Sequence, residues 1–81
     1  KELVVLIRKL ELLVAGERLS QVVENAISKL PQDLKSAIIM REYEGMSYED
    51  ISAIMECPVG TVRSRIFRAR ESIDKEVKNI I

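Results

Sequence analysis

The chain of 81 residues has no histidine, no tryptophan and a single cysteine, Cys57. One thiol excludes an internal disulfide, and the usual ligand sets of a zinc site are missing. No glycine-rich phosphate loop is present, so neither metal chemistry nor nucleotide hydrolysis is expected, and no cofactor. Only three glycines and two prolines interrupt the chain, and Leu, Ile, Val, Ala, Glu, Lys and Arg dominate. That composition favours helices over a sandwich or barrel. The most apolar stretch, KELVVLIRKLELLV, is broken by Arg8, Lys9 and Glu11. It is too short and too charged to span a bilayer, and it lacks the small-residue cleavage site of a signal peptide. A lone free thiol suits a reducing, cytoplasmic setting, and membrane insertion is not expected.

Net charge is also absent, with 13 basic and 13 acidic residues, but the total hides a partition. Between Glu42 and Glu56 stand five acids and no base; between Arg63 and Arg70 stand four arginines and no acid. Segregation of this kind points to a basic patch with an acidic neighbour. Within the basic run sits Phe67, the only phenylalanine.

Apolar periodicity predicts five helices. Residues 2 to about 14 carry Leu3, Leu6, Ile7, Leu10, Leu13 and Val14 on one stripe, and Ala15-Gly16 breaks it. A second helix is expected from about Leu19 to Lys29, capped by Ser20, with Val22, Val23, Ala26, Ile27 and Leu30 inward. Pro31 suits the first turn of a third, which buries Leu34, Ala37, Ile38 and Met40 before Gly45 stops it. Ser47 caps a fourth, Tyr48 to about Met55, with Asp50 at the reciprocal capping position and Ile51, Ile54 and Met55 inward. After Glu56-Cys57-Pro58 a fifth runs to about Asn79 on Val62, Ile66, Ala69, Ile73 and Val77. Glu56 occupies a position where such turns often carry glycine. Two helices joined by three or four residues, the second long and basic, form a helix-turn-helix pattern.

At 100° per residue, the core stripe of the last helix leaves Gly60, Arg63, Ser64, Phe67, Arg68 and Glu71 on the opposite side, with Arg65 and Arg70 on the flanks. Phe67 is therefore expected in solvent, against the habit of its residue type. A helix face of this composition fits the DNA major groove: arginine pairs with guanine, a small hydroxyl approaches closely, and an aromatic ring packs on a thymine methyl. Gly60, lacking a side chain, lets the helix start lie close to the backbone. The competing reading makes the arginines a solvated face with Phe67 packed on the N-terminal helix. Arg41 anchors a phosphate or pairs with a nearby glutamate. Tyr43 and Tyr48 read as half-buried packing residues, and Cys57 as a small residue at the turn, not a nucleophile. Glu49-Asp50 favour the helix dipole at a first turn. No enzymatic activity is expected.

From about Leu19 onward the chain resembles region 4 of bacterial extracytoplasmic-function (sigma-E-like, sigma-24 type) sigma factors. The words that carry the resemblance are LPQDLKSAIIMREYEGMSYEDISAIMECPVGTVRSRIFRARESID, residues 30 to 74. It implies a small all-α helix-turn-helix domain (winged-helix-like, sigma region 4) over residues 18–81, preceded by an amphipathic helix or linker over residues 1–17. It also implies binding to the promoter minus-35 element together with core RNA polymerase. Arg63, Ser64, Phe67 and Arg68 align with base-facing positions. Arg41, Ser47, Tyr48, Gly60, Thr61 and Arg65 align with or near the backbone-contacting ones. The implied partners are double-stranded promoter DNA, the polymerase β-subunit flap and an anti-sigma factor, with the acidic stretch on a protein-facing or solvent side. The family's region 2, which melts the minus-10 element, has no counterpart here. The chain is therefore expected to be part of a longer sigma factor, unable to open a promoter alone. Alternatives are a response-regulator-type helix-turn-helix factor and a helical protein-interaction module that does not bind DNA.

Overall fold

The structure is a computed structural model that describes residues 16–79, with side-chain burial from residue 21. The expected helix over residues 2 to 14 lies outside the described residues. Four helices follow: α1 Gly16–Ser28, α2 Gln32–Glu42, α3 Tyr48–Met55 and α4 Val59–Lys78. No strand occurs among the described residues.

Helix α1 begins at Gly16, earlier than expected, so Ser20 lies within it and does not cap it. Glu17, Arg18 and Leu19 are good helix formers, and nothing after Gly16 interrupts them. Val23, Ala26, Ile27 and Leu30 are buried as expected, and Val22 is half-buried. Pro31 stands one position ahead of α2, at its N-cap, where its carbonyl accepts the Lys35 N–H at 2.9 Å. Leu34, Ala37 and Ile38 are buried, while Met40 packs at the edge of the core. At the end of α2 the N–H groups of Tyr43 and Glu44 converge on the Ile39 carbonyl, and Gly45 turns the chain at φ +66°. Only glycine takes that backbone region freely.

Two packing expectations fail. Tyr43 is 61% exposed, because it follows the last turn of α2 where the chain leaves the core. Ile54 is 60% exposed: α3 turns Ile51, Met55 and Tyr48 inward, and Ile54 falls 60° outside that arc. Ser47 does cap α3, accepting the Asp50 N–H at 3.0 Å.

The α3–α4 turn is Glu56-Cys57-Pro58. Glu56 adopts the left-handed conformation (φ 54°, ψ 48°) that the sequence position suggested for glycine. The Glu56 and Cys57 N–H groups both donate to the Ser52 carbonyl, and the Ser52 hydroxyl donates to the Cys57 carbonyl. The turn is thus tied back to α3 through Ser52.

Helix α4 is the spine. Val62, Ile66, Ala69, Ile73 and Val77 are all at most 1% exposed and meet buried residues of the other three helices. Each large aliphatic side chain so buried contributes about 1.5–3 kcal/mol. Among the described residues no polar side chain is buried, and no helix is long and apolar enough to cross a membrane.

Candidate nucleic-acid interface

Because five positions of α4 face the core, those on the opposite side of the helix face out. Arg63, Ser64, Phe67 and Arg68 are all exposed, Phe67 to 63%. Together they line one shallow surface depression of about 510 Å³. Four of the six residues that the helical wheel grouped are therefore gathered in space. The alternative, Phe67 packed on the N-terminal helix, involves residues outside those described.

The four arginines divide into two pairs with different surroundings. Arg63 and Arg68 project from the outer face. The Arg63 guanidinium lies 5.6 Å from the centre of the Tyr48 ring, and Arg68 Nε reaches back to the Ser64 carbonyl at 3.4 Å. Such contacts are weak enough to exchange for a ligand. Arg65 and Arg70 instead turn into the fold. Arg65 Nε is 3.5 Å from Asp33 Oδ2 at the start of α2, and its Nη1 donates to the Cys57 sulfur at 3.6 Å. Arg70 donates through Nε and Nη2 to Glu42 Oε1 at the end of α2, and the Glu42 side chain is only 9% exposed. A charge-assisted pair that is partly covered is held more firmly than a surface pair.

Glu42 is thus covered and does not belong with the solvent-facing acids. Glu44, Glu49, Asp50 and Glu56 remain exposed. Glu49 and Asp50 occupy the first turn of α3, where backbone N–H groups favour negative charge.

Around the outer face stand the other predicted residues. Arg41 Nη1 donates to the Met46 carbonyl at 2.8 Å, and its guanidinium sits 4.6 Å from the Tyr48 ring centre. Tyr48 is half-buried, as expected. The Ser47 hydroxyl oxygen is engaged as a cap, which leaves its hydrogen to donate elsewhere. Thr61 is half-buried, and its N–H donates to the Pro58 carbonyl at 3.0 Å. Gly60 is exposed, and a Cβ built on it would meet nothing within 4 Å. The fold itself therefore does not require glycine there. Arg65 is the predicted site residue that the fold draws inward, while Gly60 and Thr61 stand in the first turn of α4 and Arg41, Ser47 and Tyr48 on the neighbouring α2–α3 side.

Sequence reasoning missed Asp33, Glu42 and the Met46 carbonyl as partners of the arginines. Glu42 lies 28 residues from Arg70, and no periodicity links positions that far apart. Among the described residues no group of three or more His, Cys, Asp or Glu could hold a metal ion.

Comparison with known proteins bears on the same residues. The family described as Sigma-70, region 4 matches residues 20–73. The chain is 59% identical over 71 residues to the ECF RNA polymerase sigma-E factor of Escherichia coli (strain K12), an alignment covering 88% of this chain and 37% of that protein. The protein of the same description from Salmonella typhimurium (strain LT2) matches equally, at 59% over 71 residues. The RNA polymerase sigma-H factor of Pseudomonas aeruginosa is 54% identical over 65 residues, covering 80% of this chain and 34% of that protein. The chain spans little more than a third of the length of these relatives.

Proposed function

Since the chain belongs to the sigma-70 region 4 family, we propose that it is the module of an RNA polymerase sigma factor that binds the promoter minus-35 element in initiation. One observation carries the reading: the only phenylalanine stands 63% exposed between two outward arginines, on a helix whose other side is fully committed to the core. A solvated charged face needs no such ring. A helix lying in the major groove uses it against a thymine methyl or sugar.

Arg63 and Arg68 then contact guanine, and Ser64 permits close approach between them. Arg41, Ser47, Gly60 and Thr61 meet the sugar–phosphate backbone, which sets register without reading sequence. Arg65, ion-paired to Asp33, supports the backbone contact from within by fixing α4 against α2. Core polymerase, through its β-subunit flap, is the proposed protein partner, with an anti-sigma factor competing for the same surface. Those partners place the work in the cytoplasm. No catalytic step is assigned to the chain.

Fluorescence anisotropy on a duplex enriched by the chain from a randomised pool, against a scrambled duplex, tests this. Arg63→Ala should lose about 1–3 kcal/mol on the enriched duplex and much less on the scrambled one. Arg41→Ala should weaken both alike, as a phosphate contact does. Equal losses for Arg63→Ala on the two would demote it to a phosphate contact. A chain that shows no salt-dependent binding to any duplex would leave the protein-interaction module standing, with exposed Ile54 and Tyr43 as its first candidate contacts.

A further inference from the structure

Tyr48 lies against two of the three arginines proposed for the interface, Arg41 and Arg63. It is the first residue of α3, its backbone fixed by the Ser47 cap, and it is half-buried. The Arg41 guanidinium of α2 lies 4.6 Å from the ring centre and that of Arg63, on α4, lies 5.6 Å from it. Arg41 is itself anchored by its bond to the Met46 carbonyl in the α2–α3 loop. One ring therefore joins three elements where the outer face of α4 begins.

Both distances fall within the range in which a ring's electron-rich face attracts a cation. An exposed arginine otherwise samples many rotamers, and that freedom is lost when it binds. A guanidinium already resting against an immobile ring loses less. The ring also offsets some of the repulsion between two cations brought to one place.

We propose that Tyr48 is a positioning residue: its ring, and not its hydroxyl, holds Arg63 in the orientation that reads a base and couples it to Arg41. This rests on the DNA-binding reading and deepens it, because it assigns sequence discrimination to a residue that contacts no base. It also departs from the family alignment, in which Tyr48 falls with or near the backbone contacts.

The test uses the 81-residue chain with the enriched and scrambled duplexes, measured over a salt series, with a thermal melt of every variant. Tyr48→Phe keeps the ring and should bind both duplexes within about twofold of the parent, with an unchanged salt slope. Tyr48→Leu should lose about two- to fivefold on the enriched duplex and little on the scrambled one. Added to Arg63→Ala, it should cost nothing further. In the free parent chain, proton NMR should find the Arg63 Cδ protons shifted upfield by the ring, a readout independent of how Tyr48→Leu folds.

The role is overturned in three ways while the parent still binds. Tyr48→Phe could weaken both duplexes alike, which would make the hydroxyl a phosphate contact. Tyr48→Leu could lose equally on both duplexes or add fully to Arg63→Ala, which would make it packing alone. The upfield shift could be absent. A parent chain that enriches no duplex overturns the DNA reading itself, and this role with it.

Discussion

Gly60 separates what the fold needs from what the proposed ligand needs. It occupies the second position of α4 with open space where a Cβ would be. Glycine in a helix costs up to about 0.5–1 kcal/mol relative to alanine, and nothing inside the protein repays it. Gly60→Ala should therefore raise the melting temperature by about 2–5 °C and weaken binding to the enriched duplex. A variant that gains stability and binds as before would remove Gly60 from the interface. Phe67→Ala is the mirror case. Its ring is 63% exposed, so stability should change by less than about 0.5–1 kcal/mol while affinity falls, as paired melting and anisotropy measurements would register. Exposure of Phe67 was legible in the sequence, because the stripe from Val62 to Val77 left it no other side. Exposure of Ile54 was not: α3 has eight residues, too few for apolar spacing to say which flank α4 would cover.

At the scale of elements, α4 was readable throughout and its attachments were not. Steps of four, three, four and four named five residues that are buried at 0–1%. The ties that fix its angle, Arg65 to Asp33 and Arg70 to Glu42, join it to opposite ends of α2. The helical wheel sets Arg65 and Arg70 on the flanks, but long-range pairs carry no local periodicity, so the sequence did not name Asp33 and Glu42 as their partners. The division gives a testable contrast. Arg70→Ala should cost about 1–2 kcal/mol in urea denaturation, since it withdraws two charge-assisted donors from a covered carboxylate. Arg68→Ala, on an exposed side chain, should cost under about 0.5 kcal/mol and act on DNA affinity instead. The early start of α1 has a related cause: a capping residue signals a helix start only where the preceding residues do not continue the helix, and Glu17 to Leu19 do.

At the scale of the whole molecule, charge accounting changes once the internal pairs are known. Four or five cations around the basic run would neutralise about as many phosphates and give a log–log salt slope near about −4. With Arg65 and Arg70 engaged inside, Arg41, Arg63 and Arg68 remain, and the slope should fall to about −3 at about −0.9 per contact. Titrations of the chain with the enriched duplex between low and moderate salt would measure it. A slope near the larger value would mean that the internal pairs open on binding. Such a modest count also implies weak binding by the chain alone.

Along α4 the residues that hold the domain together and those that face outward are interleaved without being shared. Val62, Ile66 and Ala69 alternate with Arg63-Ser64 and Phe67-Arg68. Substitution in the second set leaves the first untouched. On the proposed reading, a lineage carrying this helix is therefore free to rewrite the promoters it answers to, a few outward letters at a time, without first having to survive a less stable protein.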